Sequence, residues 1–325
     1  MKKELSFETP IMGQEYAGTV GVLAVANENR FVSSNFSDPL TEFVAAIMGT
    51  DLASLQAELN VMAPPVRSAR RFEYRKAADG LSFLSDLDDE RAIGADFRRL
   101  EHKGEMVNVK TANRGLTYTL DRDEMVEGDT EQTARWLAAI LLRNSKRRVQ
   151  KMLDAAAANN NVVFKTATDP DFIVKQKLIA ALEARGLFPN NILYGIGAWS
   201  MREAAYRTST VPGALILGQM TAEQVASALM VDRLTISKDV YKTSTKKGTQ
   251  FFLGNLIYAY YTDPIIGKED GSNVKRFWTP CEGGEMMRVF VDESKPKTVE
   301  VMVEHYSAEA VVDSNGILKF TVAAS

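Results

Sequence analysis

Between residues 130 and 158 the chain carries neither glycine nor proline, so nothing in its backbone chemistry interrupts a helix there. Asp129 stands where an N-cap would, with Gln132 three residues on to bond back to it. At 1.5 Å per residue the segment makes a rod of about 40 Å. That exceeds the usual globular helix and reads as a structural spine rather than one wall of a compact enzyme core. A chain organised around such a rod has a shape suited to contacts with copies of itself. Leu137, Ile140, Leu141, Val149, Met152 and Leu153 supply an apolar stripe, broken by the polar Asn144 and Ser145. Arg143, Lys146, Arg147, Arg148 and Lys151 form a basic cluster. Such a cluster reads as a solvated face or a subunit contact, and less often as a nucleic-acid site.

At 325 residues the chain exceeds the usual limit of a single core and suggests two domains or one elaborated domain. Apolar residues make up 45% of it, enough for a sizeable core. The formal net charge of −3 lacks the basic excess of a dedicated DNA-binding protein. Cys281 is the one cysteine, which excludes an intrachain disulfide and suits a reducing compartment. His102 and His305 are the only imidazoles, far apart and in no metal spacing, so no zinc chemistry is expected. After Met1-Lys2-Lys3 come Glu4, Ser6, Glu8 and Pro10, with no apolar core of signal-peptide length. The apolar run at residues 19–26 is too short to cross a bilayer. Synthesis and folding in a cytoplasm are expected.

Residues 1–30 are weakly patterned and read as an extended arm. Asp38-Pro39 opens a short helix with Leu40, Phe43, Val44, Ile47 and Met48 on one face, and a second helix over 51–62 ends at Pro64-Pro65. From residue 66 to 118 charge dominates: Arg67, Arg70, Arg71, Arg75 and Lys76, then Asp86, Asp88, Asp89 and Glu90, then Arg98, Arg99 and Lys103. This stretch is expected to form a two-stranded arm with a polar tip, ending in a strand at 115–120. An isolated hairpin is marginal in water and needs another surface to lie on. Beyond the spine, Asn159-Asn160-Asn161 suits a left-handed helix exit before a strand at 162–164. Asp169-Pro170 starts a helix with Phe172, Ile173, Ile179 and Leu182 inward and Gly186 as its stop. A buried strand is expected at 191–198, a helix opened by a Thr221 and Gln224 capping box, and strands at 234–237, 250–261 and 287–291. This alternation reads as a compact α/β lobe. In the tail Val299, Val301 and Val303 alternate with Glu300, Met302 and Glu304, and Asn315-Gly316 is a hairpin signal. The tail strands are expected to pack along the spine.

Motifs of catalysis fall short. Gly195-Ile196-Gly197 has Ser200 in place of a third glycine and no helix is expected to open there, so a strand with two small residues is the better reading than a dinucleotide fingerprint. The lysines of 243–249 lack the upstream glycine of a phosphate loop, and residues 86–90 lack the glycine a calcium loop needs at its sharp turn. Ser200 is not in a nucleophile elbow, and Cys281 beside Glu282 has no basic neighbour to lower its pKa. Asn35-Phe36-Ser37 is a glycosylation sequon by pattern alone. Neither enzymatic activity nor a cofactor or metal is expected.

From residue 221 to 264 a helix runs into Val231-Asp232-Arg233-Leu234, a Lys-rich loop follows, and Phe252-Leu253-Gly254-Asn255-Leu256-Ile257-Tyr258-Ala259-Tyr260 leads to Asp263-Pro264. With the order of parts around it, this stretch resembles the major capsid protein of tailed bacteriophages, whose fold is shared by encapsulin shells. The resemblance implies an α+β fold divided into an N-terminal arm with short helices (1–65), an extended hairpin arm (66–120), a peripheral domain with the spine helix (121–168 and 293–325) and an axial domain (169–292). It implies self-assembly through pentamers and hexamers into an icosahedral head shell around phage double-stranded DNA, with scaffold, portal and decoration proteins as further partners, no membrane, and a location in the virion after assembly in the bacterial cytoplasm. In the family the hairpin arm reaches over a neighbouring subunit. Arg67, Arg70, Arg71, Arg75 and Lys76 would then meet acids of another copy, drawn from Asp86, Asp88, Asp89 and Glu90 or from 121–131. An encapsulin-like nanocompartment with protein cargo is the second reading, and a soluble α/β enzyme with an inserted hairpin the third.

Overall fold

The computed structural model describes residues 35–75, 90, 106–164, 169–210, 212–242, 248–263, 271–281 and 284–324. Asp38-Pro39 opens α1 (Asp38–Gly49), where proline's fixed φ suits the first turn. Leu40, Val44, Ile47 and Met48 are its buried face. Then come α2 (Ala53–Met62), β1 (Pro65–Arg67), β2 (Arg71–Arg75), β3 (Met106–Lys110) and β4 (Ala112–Asp121). β2 pairs antiparallel with β3, from Arg71 opposite Lys110 to Arg75 opposite Met106, whereas the strand expected to end the hairpin arm at 115–120 lies in β4 and pairs with β13 instead. The expected tip of the hairpin arm and the N-terminal arm lie outside the described residues.

The spine is α3 (Asp129–Ala156), 28 residues long. Its cap differs from the expected one: Gly128 is the N-cap, at φ 93°, and Asp129 sits inside the first turn, where Oδ2 accepts from the Val126 N–H at 2.8 Å. The entry is too sharp for a side chain at the cap, and glycine takes that conformation without steric cost. The helix ends sooner than expected, because Asn159, Asn160 and Asn161 do not break the chain but join β5 (Ala158–Phe164).

Asp169 caps α4 (Pro170–Arg185) by accepting from the N–H groups of Asp171 and Phe172, and Gly186 ends it in the left-handed conformation, as expected. Of the face expected inward, only Ile173 packs against the lobe core. Val174, Leu178 and Ala181 are buried, while Phe172, Ile179 and Leu182 are exposed. Both stripes have helical spacing, and contact with the lobe selects the slimmer one.

β6 (Asn191–Gly195) turns directly into α5 (Ile196–Thr208), so a helix does open at Gly195-Ile196-Gly197. The glycines serve packing: a Cβ on Gly195 would stand 2.2 Å from the Gly254 carbonyl oxygen, and one on Gly197 2.3 Å from Asn255 Oδ1. α6 (Ala214–Gly218) follows, then α7 (Ala222–Leu229), which starts with the expected capping box of Thr221 and Gln224. β7 (Arg233–Ser237) and β8 (Val240–Tyr241) precede a strand region that is split, not continuous as expected. β9 (Gln250–Phe251) and β10 (Leu256–Tyr260) flank a turn through Gly254, at φ 53°. β11 (Val274–Thr279) was not anticipated. β12 (Met287–Asp292), β13 (Thr298–Val311) and β14 (Leu318–Ala324) complete the chain.

Two five-stranded sheets result. In the first, β13 is bonded along both edges: β4 lies on one side, and β12 and β11 take successive halves of the other. β1 extends this sheet beside β11. The second has the order β5-β14-β10-β6-β7. The Asn315-Gly316 turn forms, with Gly316 at φ 75°, but β13 and β14 do not pair as a hairpin. Instead Asn273 donates to the carbonyls of Asp313 and Asn315, and the turn carries the chain from one sheet to the other.

Two cores follow. Leu137, Leu141, Val149 and Leu153 of α3 join α1, α2 and Val301 and Val303 of β13 in the first. Val174, Leu178, Trp199, Val225 and Leu229 cover Tyr194, Ile257 and Phe320 of the second sheet in the other. Each such aliphatic side chain contributes roughly 1.5–3 kcal/mol. Gly195→Ala should destabilise the protein by about 1–3 kcal/mol, read as a lower urea midpoint, because the Gly254 backbone cannot retreat without moving the turn that β10 follows.

Candidate functional site

Ser145, one of the polar interruptions in the spine's apolar stripe, meets the sheet. Along the helix-facing side of β13, Val299, Val301 and Val303 give way to His305, Ser307 and Glu309, and all six side chains sit on one face of the strand. Ser145 Oγ donates to Glu309 at 2.6 Å. Arg148, one turn further on, grips the same carboxylate with Nε at 2.9 Å and Nη2 at 2.8 Å. Arg114 of β4 approaches it at 3.7 Å. Arg276 of β11 stands opposite Glu309 in register and donates from Nη2 to Asn60 Oδ1 at 2.8 Å.

Electrostatics follow from burial. Desolvation works against the Glu309 carboxylate, yet hydrogen bonds from Arg148 and Ser145 and the charges of Arg148 and Arg114 hold its pKa below the ordinary value. Burial, then the charge of Arg148, depresses His305 to about 3. Burial lowers Arg276 to about 10, and it stays charged at neutral pH.

The spine's basic cluster is therefore divided. Arg143 and Lys151 are exposed. Lys146, 1% exposed, lies between Glu58 at 2.6 Å and Asp239, over the Phe252 ring. Arg147 stacks on Tyr241 at 4.5 Å. Lys146 is thus buried within the chain, and Arg148 is paired inside it while keeping 25% of its side chain exposed, so the cluster does not form a single face. The acids that hold them lie far away in sequence.

At the root of the hairpin arm Arg67 and Arg71 are exposed, while Arg70 lies 4.9 Å over the Tyr306 ring. Arg75 belongs to β2. Lys76, Asp86, Asp88 and Asp89 lie outside the described residues, as do His102 and most of the lysine loop, and Glu90 is exposed. In the acidic stretch before the spine, Asp123 pairs with Lys297 at 3.0 Å and Arg122 with Glu293 at 3.3 Å.

A second buried ion pair organises the lobe. Arg202 donates from Nε and Nη2 to the two oxygens of Asp171, each at 2.7 Å, and to the Leu217 carbonyl at 2.9 Å. The Trp199 and Tyr206 rings lie 4.9 and 5.0 Å from its guanidinium. This fork ties α4 to α6 at one corner, where Phe172 is 56% and Ile216 74% exposed. Neither apolar group was marked as exposed by its sequence neighbours. On the first sheet, a groove of about 310 Å³ is lined by Asn35, Leu116, Phe290 and Met302.

Cys281 is buried, and Ser200 lies on α5. Among the described residues no group of three His, Cys, Asp or Glu side chains is placed to hold a metal ion. No described helix is long and apolar enough to cross a membrane.

No protein-family model matches the sequence, and no curated protein does. Solved structures do. A phage-related protein from Bordetella bronchiseptica RB50 matches over 88% of this chain and 97% of its own, at 14% identity and a TM-score of 0.62. The two chains share one fold. A chain of Microbacterium phage Oxtober96 covers 82% of this chain and 90% of its own, at 9% identity and a TM-score of 0.50. One from the capsid structure of the Cyanophage P-SCSP1u covers 81% and 87%, at 9% identity and a TM-score of 0.47. The α+β class expected from the sequence is the class observed.

Glu309→Gln should cost about 1–3 kcal/mol in chemical denaturation, since it leaves the part-buried guanidiniums of Arg148 and Arg114 without their carboxylate. The pH dependence has one sign. His305 titrates at about 3 in the native protein and at 6.5 when unfolded, so between those values the unfolded chain binds the additional proton. Stability is whole above about pH 6.5 and falls as pH drops towards 3, and the lowered Glu309 adds its own loss below 4.5. Urea midpoints measured from pH 7 downward should fall in the wild type, and His305→Asn should flatten the part of that slope above about pH 4.5.

Proposed function

We propose that this chain is a major capsid protein, which self-assembles into an icosahedral head shell enclosing phage double-stranded DNA. The observation that carries this reading is the fold shared over 88% of the chain with a phage-related protein. The order of arm, hairpin, spine, lobe and closing strands in the sequence supports it. On this reading the chain has a structural role, is not an enzyme, and reaches the virion after assembly in the host cytoplasm. Residues 1–65, 66–120, 121–168 with 293–325, and 169–292 would be its arm, hairpin, peripheral and axial parts, joined into pentamers and hexamers. Scaffold, portal and decoration proteins are the further partners this role calls for.

Shell closure needs many subunit contacts, each modest, summed over a symmetric surface. Two kinds of surface suit it. The exposed stripe of Phe172, Ile179 and Leu182, with Leu215 and Ile216 nearby in the lobe, offers apolar area of the sort that interface cores are made from. The exposed Arg67 and Arg71 at the root of the hairpin offer charge, which sets register and orientation more than strength.

Electron microscopy of the purified protein should show closed particles tens of nanometres across that contain DNA when recovered from infected cells. A monomer or small oligomer under all assembly conditions overturns the reading. Arg67→Glu combined with Arg71→Glu should slow assembly at low salt, followed by light scattering, and make added salt speed assembly where it slows the wild type, while the circular dichroism of the subunit stays unchanged. Unaltered kinetics at every salt concentration would remove these two side chains from the contact.

A further inference from the structure

The polar seam between spine and sheet holds more positive than negative charge. Arg114, Arg148 and Arg276 surround His305, and Glu309 is the one carboxylate, among the described residues, within ion-pair distance of any of them. Arginine cannot shed its proton to relieve burial. The seam also contains unmet hydrogen-bonding groups. Arg276 Nε and Nη1, Arg114 Nε, and both His305 ring nitrogens are buried without a hydrogen-bond partner, although the Arg276 and His305 residues are each only 1% exposed. Buried polar groups are ordinarily paired, and a buried charge without a counter-charge is more costly still.

We infer that this seam binds a small oxyanion of the phosphate class, coordinated by Arg114, Arg276 and His305 beside the Arg148–Glu309 pair. Charge selects an anion. Size selects a small one, since a side chain of another subunit would have to part helix from sheet to reach Arg276, whereas Arg114 and Arg148, 32% and 25% exposed in their side chains, keep the edge of the seam in contact with solvent. The neutral imidazole of His305 has one donor and one acceptor nitrogen, and the acceptor needs a proton from the ligand. Phosphate keeps a P–OH group at neutral pH and can supply it, while sulfate cannot. Phosphate should therefore bind more tightly than sulfate. This site is independent of shell assembly, because its named groups come from one chain.

The experiment is thermal unfolding of the full-length protein at neutral pH in phosphate, sulfate or chloride at matched ionic strength. Phosphate should raise Tm saturably, by ~2 °C or more once its concentration is about tenfold above Kd, and by more than sulfate does. Arg276→Met should abolish the difference. If that variant fails to fold, Arg114→Met, at the partly exposed rim, should fold and shift the phosphate midpoint about tenfold, the effect of losing one charge-assisted hydrogen bond. The same Tm in phosphate and chloride, or an unchanged phosphate midpoint in Arg114→Met, overturns the site. A stabilisation seen only on subunit association and indifferent to phosphate also overturns it, and assigns the counter-charge to an acidic side chain of another copy.

Discussion

Because β13 is bonded along both edges and lies beneath the spine, its register sets the position of nearly every other part of the first core. β4 holds residues 298–307 on one side while β12 and β11 divide the other, so a slip of one residue would have to break three ladders together. It would also turn Val299, Val301 and Val303 away from α3 and bring Glu300, Met302 and Glu304 under it. The seam at Glu309 fixes the remaining freedom, the position of the spine along the strand. Apolar contacts between a helix and a sheet tolerate sliding far better than a carboxylate held by Ser145 and by two nitrogens of Arg148. A buried pair of this kind is weak evidence for stability in itself, but it specifies one alignment among several apolar ones.

The lobe repeats this division of labour on a smaller scale. Trp199, Val225 and Leu229 bury apolar area, and the fork from Arg202 to Asp171 and the Leu217 carbonyl determines how α4 and α6 meet. The flanking rings shield that fork from water, which strengthens its electrostatics and raises the cost of losing either partner. The corner so fixed carries exposed apolar side chains. A rigid base beneath an exposed apolar surface lowers the entropy lost when that surface is covered.

Local chemistry was legible in the sequence wherever the partner group lies within a few residues. The Asp169-Pro170 start, the Thr221–Gln224 box and the alternation at 299–304 each depend on neighbours in the chain, and each is present. The errors share a cause in long-range choice. Asn315-Gly316 does make a turn, yet β14 takes β5 and β10 as partners, a preference no turn signal encodes. In α4 the sequence holds two apolar stripes of equal period, and only the second sheet decides between them. The basic cluster of the spine was read as one face, whereas its inward members are claimed by Glu58, Asp239 and Glu309, all distant in sequence. The break at Ser145 was the one local sign that the stripe met something polar.

Placing charge within the seam has a consequence for how copies of the chain can meet. Lys146 is buried and Arg148 reaches the surface only in part, which leaves Arg143, Lys151 and the Asp51-paired Arg135 as the exposed cations of the spine. Interactions between such isolated surface charges are weak and are screened beyond about 8–10 Å in physiological salt. On the capsid reading proposed above, long-range attraction between copies would fall mainly to Arg67 and Arg71 at the root of the hairpin, which stand outside the ion pairs of the seam. Short-range adhesion would on the same reading fall to the lobe, where apolar groups are exposed on α4 and α6. A subunit arranged in this way can be oriented by charge before it is held by apolar contact, and weak early contacts can dissociate and correct themselves before the larger surfaces are buried.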